Sequence, residues 1–418
     1  MGLNDTPSAA RVHIGFFGRR NTGKSSLLNA VAGQDLAIVS DQKGTTTDPV
    51  FKSMELLPLG PVVIIDTPGI DDEGELGAER VRRARRVMNR IDAAVLVTEA
   101  ATAPGNTAGN AAAHDAVRDA GGAEEELTGL FREKRIPCLV VRNKCDLMEG
   151  PVPPDGGDEL YVSARTGVNI NRLKERIAAL VPGGEETLRI VGDLLSPSDF
   201  VVLVTPIDKA APKGRLILPQ QQTIRDILEA DAAAVVVKEH ELRFTLEHLG
   251  KKPRMVITDS QVFAKVSADT PPDIPLTSFS ILFARYKGFL DAAVKGVKRL
   301  DSLGGGDRVL VCEGCTHHRQ CDDIGAVKIP RWIRDYTGGT PDFAFSSGGD
   351  FPGDLAPYAL VVHCGGCMLN DREMRFREKC AADQKVPMTN YGVLIAHMQG
   401  ILKRSVSLFP HILAELED

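Results

Sequence analysis

The sequence lacks a long apolar run, an excess of positive charge and a secretory leader pattern. A membrane-spanning helix needs about 20 consecutive apolar residues, and the 418-residue chain has no such run. Its formal net charge of −6 argues against nucleic acid as the main partner. Residues 1–7 lack the charged and then apolar pattern of a signal peptide. We therefore expect a cytoplasmic protein that binds neither membranes nor nucleic acids.

Cysteine is also scarce, because the chain has only eight. That number is too small, and too clustered, for a disulfide framework in a chain of this length. Five of the eight are grouped late in the chain, at Cys312, Cys315, Cys321, Cys364 and Cys367. Such grouping indicates metal or redox chemistry in a reducing compartment.

A glycine-rich pattern is present near the N-terminus, where residues 18–25 read G-R-R-N-T-G-K-S. It follows an apolar run at 12–17 and precedes a helical pattern at 27–31, which is the strand–turn–helix context of a phosphate-binding loop. Lys24 is expected to reach the β- and γ-phosphates, and the Ser25 hydroxyl to hold Mg²⁺. The residues predicted to bind the nucleotide here are Asn21, Thr22, Gly23, Lys24, Ser25 and Ser26.

Two further segments carry residue types suited to the metal ion and the γ-phosphate. Thr46 lies in the threonine-rich stretch 44–48 and is predicted to place its hydroxyl on Mg²⁺, with Thr45 and Thr47 as alternatives. Asp66 ends an apolar run and is predicted to act through the water shell of the ion, and the N–H of Gly69 is predicted to bond the γ-phosphate. We therefore assign catalysis to Lys24, Thr46, Asp66 and Gly69.

The base-reading motif is N-K-C-D, at the end of the apolar run 138–142. A carboxylate at Asp146 can accept hydrogen bonds from guanine N1 and N2, which adenine does not offer, so the motif selects GTP over ATP. A second loop, after the run 160–162, completes the guanine pocket. The residues predicted to form this pocket are Asn143, Lys144, Asp146, Ser163 and Ala164.

These four motifs, within residues 10–182, resemble the Era/TrmE-like branch of translation-factor-class GTPases. Ile70 occupies the position at which Ras-like enzymes place a water-orienting glutamine, so intrinsic hydrolysis is expected to be slow. Asn21 matches the residue that potassium-activated members of this branch use as a K⁺ ligand. The resemblance thus implies a slow, potassium-stimulated GTPase in which K⁺ replaces an arginine finger.

The remaining sequence predicts two smaller α/β domains. Residues 184–288 alternate β-branched runs with helical patterns and carry no acid–base or metal cluster, which favours an interaction role. Later, apolar runs at 308–311 and 358–362 each lead directly into metal-binding residue types. Because parallel strands meet at one edge of a sheet, we expect these groups to converge there. The candidate ligands are Cys312, Cys315, His317 and His318 after the first run, and His363, Cys364 and Cys367 after the second.

Three thiols with nearby histidines suit either a zinc ion or a 4Fe–4S cluster with an exchangeable fourth ligand. Spacing does not separate the two, and ligand chemistry alone favours zinc. Cys364 and Cys367 precede a helical pattern, whose dipole is expected to lower the pKa of the thiols.

The pair of signatures Cys315-x-His317 and His363-Cys364-x-x-Cys367, joined to a GTPase domain, resembles the HydF family of FeFe-hydrogenase maturation GTPases. The resemblance covers nearly the whole chain. It implies an Era/TrmE-like GTP-binding domain at 1–183, a dimerisation domain at 184–288 and a 4Fe–4S cluster-binding domain at 289–418. The GTPase domain is expected to have a mixed, mostly parallel sheet with helices on both faces.

The resemblance also implies a role and a ligand set. Cys315, Cys364 and Cys367 would bind the cluster, with His363 or His317 as exchangeable fourth ligand and Cys312 as a competitor. The homodimer would receive a di-iron precursor from radical-SAM maturases and deliver it to apo FeFe-hydrogenase, with GTP, Mg²⁺, K⁺ and the 4Fe–4S cluster as cofactors. Cys321 and Cys380 receive no role.

Two other functions are compatible with the residues. The first is a GTPase with a structural zinc domain that acts in ribosome or RNA assembly. The second is a thiol redox module, built on the C-x-x-C pair and regulated by GTP. Iron and sulfide in protein purified without oxygen would separate the maturation role from both.

Overall fold

The computed structural model describes residues 6–33, 49–69, 84–100, 124–155, 157, 159–181, 189–206, 216–315 and 323–417. It divides the chain into two compact units, Met1–Glu185 and Glu186–Asp418. The predicted site residues Thr46 and His317 lie outside the described residues, as do Ile70 and Cys321.

Within the described residues, the sheet of the first unit comprises six strands: β1 Val12–Phe17, β2 Val50–Leu56, β3 Gly60–Asp66, β4 Ala93–Glu99, β5 Cys138–Asn143 and β6 Glu159–Tyr161. Their order in the sheet is β2-β3-β1-β4-β5-β6. Strand β2 runs antiparallel to β3, and every other neighbouring pair is parallel.

Helices cover both faces of this sheet. Lys24–Ala32 and Ile170–Leu180 bury apolar side chains on one face, and the helical segments 84–88 and 124–133 do so on the other. Strands covered on both faces are nearly continuous apolar runs, as in the sequence A-A-V-L-V-T-E of β4. The predicted α/β architecture of a P-loop domain, with a mixed and mostly parallel sheet, is confirmed.

The second unit contains two four-stranded sheets whose described strand pairs are all parallel. The first sheet comprises β7 Phe200–Val204, β8 Ala233–Val237, β9 Met255–Thr258 and β10 Leu276–Ser278. The second comprises β11 Arg308–Glu313, β12 Asp342–Ser347, β13 Leu360–His363 and β14 Met388–Asn390. The strand orders are β10-β9-β7-β8 in the first sheet and β12-β11-β13-β14 in the second.

Helices connect and cover these two sheets. Residues of the α-helices and of both sheets belong to one hydrophobic core, so the predicted boundary between residues 288 and 289 lies inside a single compact unit. The helices are Leu218–Leu228, Leu242–His248, Phe263–Asp269, Phe279–Tyr286, Leu290–Val297, Ile329–Thr337 (preceded by the π-helical turn Ile324–Lys328), Asp371–Asp383, Tyr391–Met398, Leu402–Ser405 and Pro410–Glu417.

Two of the helices that follow strands of the second sheet begin with asparagine caps. The Asn370 side chain accepts a hydrogen bond from Glu373 N at 3.1 Å, and that of Asn390 from Val393 N at 2.8 Å. Such caps satisfy backbone donors of the first helical turn. They therefore fix where the helices Asp371–Asp383 and Tyr391–Met398 leave the sheet.

None of the helices in the described part of the chain combines the length and the apolar character needed to traverse a lipid bilayer.

Candidate functional site

The phosphate loop links β1 to the helix Lys24–Ala32. Gly18 has φ 147°, and a Cβ there would collide with the Val97 carbonyl oxygen, so only glycine allows this turn. The Lys24 ammonium donates to the carbonyl oxygens of Gly18 at 2.9 Å and Arg19 at 2.6 Å. These bonds hold the Lys24 side chain over the loop, where the charge is available to phosphates at the helix N-terminus.

The two predicted Mg²⁺-site residues of this loop and β3 contact each other. Ser25 Oγ donates to Asp66 Oδ2 at 2.9 Å, while the buried Asp66 Oδ1 has no hydrogen-bond partner in the described part of the chain. Burial raises the pKa of Asp66, although the Ser25 hydrogen bond and the Lys24 charge oppose that rise. A hydroxyl beside a carboxylate with a free oxygen is a donor set that fits a hydrated Mg²⁺ ion.

The predicted switch glycine, Gly69, lies against the phosphate loop. A Cβ at this position would be 2.9 Å from Arg20 N and 3.1 Å from Arg20 Cα, so a side chain there would displace the loop. Asn21 is exposed and has φ 63° in the same loop.

Asn143 connects the phosphate loop with the second base loop. Its side-chain Nδ2 donates to the Thr22 carbonyl oxygen at 2.9 Å, and its Oδ1 accepts from Ala164 N at 3.1 Å. The amide thus holds together three segments that are far apart in sequence.

The carboxylate of Asp146 is prepared to accept hydrogen bonds from a base. Ser163 Oγ donates to Asp146 Oδ1 at 2.6 Å, and Arg165 lies 3.1 Å from Oδ2. The Ser163 hydrogen bond is the main cause that lowers the pKa of Asp146. The carboxylate is therefore ionised at neutral pH, as recognition of the guanine N–H groups requires.

Glu99, which no sequence motif marks, contacts one of the predicted residues of this pocket. It ends β4 and forms an ion pair with Lys144, which has φ 64°. The sequence feature that could have identified Glu99 is a charged residue at the end of an otherwise mostly apolar strand. The pair fixes the Lys144 side chain beside the base loop.

The second group of predicted residues lies at the carboxyl edge of the sheet β12-β11-β13-β14. Strands β11 and β13 are parallel neighbours, with Cys312 opposite His363, and Cys364 N donates to the Cys312 carbonyl oxygen at 2.9 Å. The chain segments that carry Cys315 and Cys364 therefore leave the sheet side by side. Such an edge is the usual position of ligand sites in parallel sheets.

Backbone N–H groups surround the sulfur of Cys364. Its Sγ accepts from Gly314 N at 3.1 Å and from Gly366 N at 3.4 Å. Gly366 has φ 66°, and a Cβ there would be 2.8 Å from Met374 Sδ. Two such donors favour an anionic sulfur, so this cradle fits a metal-bound thiolate.

Burial dominates the thiol chemistry at this edge. It raises the pKa of Cys364, and it raises the pKa of Cys312 and Cys367 to about 12 each. The charges of Cys364 and Cys315 raise the pKa of Cys367 further, as expected for thiols that lie near one another. The expectation that the following helix would lower the thiol pKa is wrong, because burial outweighs it.

A buried lysine lies near Cys367, at a position that no sequence motif marks. The Lys287 side chain is 2% exposed, and its Nζ donates to Asp371 Oδ1 at 2.8 Å. Its positive charge opposes the rise in the pKa of Cys367 that burial causes. Lys287 thus supplies positive charge beside the thiols.

His363 is fully buried, and both of its ring nitrogens are hydrogen-bonded within the protein. Nε2 accepts from the Arg377 guanidinium at 3.0 Å, so Nδ1 carries the proton and donates to the Cys364 carbonyl oxygen at 2.7 Å. Burial and the Arg377 charge lower the pKa of His363 to about 3. In this arrangement the imidazole is neutral and has no lone pair available to a metal.

Within the described ranges, which omit residues 316–322, no three or more His, Cys, Asp or Glu side chains are grouped to hold a metal ion. The described cysteines are all free thiols. The structure thus provides the Cys364 cradle and neighbouring thiols, but not a closed ligand set.

Three family models match the chain. Residues 13–144 match a model described as 50S ribosome-binding GTPase. Residues 190–288 match the hydrogen maturase F dimerization domain, and residues 291–408 match the hydrogen maturase F tetramerization domain. The two maturase models together span more than half of the chain, and they describe regions through which proteins associate.

The GTPase part also has curated relatives. It is 36% identical over 173 residues to the tRNA modification GTPase MnmE of Xanthomonas euvesicatoria pv. vesicatoria, covering 41% of this chain and 34% of the relative. It is 35% identical over 170 residues to MnmE of Dichelobacter nodosus, covering 40% and 34%. The chain thus spans about a third of the length of these relatives.

Among solved structures, a probable GTP-binding protein engB is similar to the chain, with 26% sequence identity and a TM-score of 0.33. The match covers 41% of this chain and 98% of that one.

The first unit, with its phosphate loop and guanine pocket, defines a P-loop GTPase. The matches that cover the second unit specify the protein further: the chain belongs to the HydF family of hydrogenase maturation GTPases and carries its oligomerisation domains.

Proposed function

We propose that this protein is a homodimeric GTPase that holds a 4Fe–4S cluster and a di-iron precursor, and that it delivers the di-iron unit to apo FeFe-hydrogenase. Radical-SAM maturases would supply the precursor. Family membership supports this proposal. The observation that carries it is the Cys364 cradle, because the Gly314 and Gly366 N–H groups donate to the Cys364 sulfur and oppose the rise in its pKa that burial causes.

The GTPase chemistry is assigned to the residues of the nucleotide site. Lys24 would neutralise phosphate charge, Ser25 and Thr46 would bind Mg²⁺, and Asp66 would orient the water shell of the ion. The N–H of Gly69 would hold the γ-phosphate. Because Ser25 Oγ donates to Asp66 Oδ2, Mg²⁺ would bind the Ser25 hydroxyl directly and meet Asp66 through a coordinated water.

Slow hydrolysis with potassium stimulation is part of the proposal. Ile70 has no polar group with which to orient water. Asn21 is exposed in the phosphate loop, where its amide oxygen could bind K⁺ beside the nucleotide. The cation would then stabilise transition-state charge in the way that an arginine finger does.

The cluster is assigned to Cys315, Cys364 and Cys367. Both nitrogens of His363 are engaged in protein hydrogen bonds, so we assign the exchangeable fourth position to His317. A bound cluster would supply an iron with an open position, at which a precursor can dock and leave. The protein's own groups would hold the thiolates, with Lys287 offsetting their negative charge.

The nucleotide state would control docking and release of partners rather than the chemistry of the cluster. In the zinc-domain alternative, the metal would lie within residues 289–418. The match to the hydrogen maturase F tetramerization domain covers most of that region. The family match therefore favours the maturation role over ribosome or RNA assembly.

Metal analysis of the full-length protein, purified without oxygen, tests the proposal. Roughly four iron and four sulfide per chain would support a 4Fe–4S scaffold. One tightly bound zinc per chain, with no sulfide, would support a structural zinc domain instead.

A further inference from the structure

A buried phenol lies at the same edge of the sheet as the thiols. Tyr391 is the first residue of the helix Tyr391–Met398, and its side chain follows β14 directly. The residue is 5% exposed, yet its hydroxyl has no hydrogen-bond partner in the described part of the chain. Leaving a buried hydroxyl unpaired is unfavourable, so such a group in a native protein needs an explanation.

The hydroxyl lies close to Glu313, at the end of β11. A Cβ added at Gly325 would collide with both the Tyr391 hydroxyl oxygen and Glu313 Oε1, which places these two oxygens on the same side of the Gly325 backbone. Burial raises the pKa of Tyr391 well above its usual range, and the charges of Cys364, Glu313, Cys312 and Asp323 raise it further. The hydroxyl therefore remains protonated at neutral pH and is a hydrogen-bond donor.

The backbone on either side of the phenol is fixed. The Asn390 side chain accepts from Val393 N at 2.8 Å and donates to the Ser280 carbonyl oxygen at 2.8 Å. The phenol is therefore attached to a capped helix end and enclosed by packed residues, which limits its freedom to turn toward another partner. A donor that is rigid, buried and unpaired is preorganised for a ligand.

We propose that Tyr391 is a binding residue of the metal centre and that its hydroxyl donates a hydrogen bond to an anionic sulfur of the cluster held by Cys364. This inference rests on the proposed function. The Tyr391 hydroxyl would be a neutral hydrogen-bond donor near Glu313, in addition to the positive charge that Lys287 supplies. The hydrogen bond would favour the reduced, more negative state of the cluster, because hydrogen bonds to sulfur help to set the potential of iron–sulfur clusters.

The substitution Tyr391→Phe tests the inference in the full-length protein, and Tyr358→Phe is the matched control. Tyr358 lies just before β13, at the other end of the same sheet. Three quantities are measured for each variant: the melting temperature of the metal-free protein, the iron and sulfide content after anaerobic reconstitution, and the reduction potential of the cluster.

For Tyr391→Phe we expect an unchanged or higher melting temperature without metal, because an unpaired hydroxyl is removed. We also expect wild-type iron content and a shift of the potential to a more negative value, with no shift in Tyr358→Phe. A lower melting temperature, or a potential equal to that of the wild type, would overturn the inference alone. A wild-type protein that takes up no iron would overturn the proposed function and this inference with it.

Discussion

The fully buried guanidinium of Arg377 donates a hydrogen bond to Nε2 of His363 across 3.0 Å. The same guanidinium donates twice to Glu373 Oε1, at 2.9 and 2.8 Å, and to the Gly348 carbonyl oxygen at 2.6 Å. This network connects the helix Asp371–Asp383 to the end of β13. Through the His363 bond to the Cys364 carbonyl oxygen, it positions the backbone that presents the Cys364 thiol.

Replacing Arg377 with methionine should destabilise the fold strongly. The change removes the Arg377 charge from beside the buried Glu373 carboxylate and the donor from His363, and breaking a buried pair typically costs about 3–5 kcal/mol. Urea unfolding of the metal-free protein measures the change in the free energy of unfolding. Arg375→Met is the control, because Arg375 is exposed on the same helix and should change stability by no more than about 0.5 kcal/mol. Equal effects of the two substitutions would contradict the structural role of the network.

This network could not be predicted from the sequence. Arginine is almost never fully buried unless it is paired, and Arg377 lies on a helix that begins eight residues after His363. From the sequence alone, His363 is therefore a possible ligand. Only the packed structure reveals that both of its nitrogens already have partners.

The nucleotide site was far more predictable. Its motifs are local, and each chemical role depends on a residue type at the end of a particular strand, as for Asp66 and Asn143. The contact of Ser25 with Asp66 follows from their shared predicted role at one metal ion. The Glu99–Lys144 pair was missed because it joins the end of β4 to the residue that follows β5, and no motif links the two residues.

Removing the hydroxyl of Ser163 should shift the pH dependence of GTP binding. The Ser163 hydrogen bond lowers the pKa of Asp146, so in the wild type the carboxylate stays ionised as the pH falls to mildly acidic values. In Ser163→Ala the pKa of Asp146 rises toward its usual value, and the loss of GTP affinity should therefore begin at a higher pH. Titrations with a fluorescent GTP analogue measure this shift, from about pH 4, near the ordinary carboxyl pKa, to about pH 8. Thr166→Ala, at an exposed neighbouring position, is the control, and identical profiles for Ser163→Ala and wild type would refute the role.

Lys24→Ala should abolish GTP hydrolysis while leaving the iron content unchanged. The ammonium is held over the phosphate loop by two carbonyl oxygens and is the main source of positive charge proposed for the β- and γ-phosphates. Phosphate release and iron analysis on the same preparation measure the two properties separately. A variant that loses its iron as well would contradict the division between the nucleotide site and the metal site.

Replacing K⁺ with Na⁺ should slow GTP hydrolysis by the wild-type protein, since Asn21 is proposed to bind the larger ion. Asn21→Ala should hydrolyse GTP slowly in both salts, at matched ionic strength. Steady-state phosphate release provides the rates. If the wild type is equally fast in both salts, Asn21 is not a potassium ligand.

The most direct test of the proposed metal centre compares Cys364→Ser with Cys380→Ser after anaerobic reconstitution. Both thiols are partly buried, but only Cys364 lies in the cradle formed by Gly314 and Gly366. The quantities measured are iron and sulfide per chain, with the rate of GTP hydrolysis as a check on folding. The proposal predicts that Cys364→Ser loses the cluster and retains GTP hydrolysis, whereas Cys380→Ser retains both. Full iron and sulfide content in Cys364→Ser would contradict it.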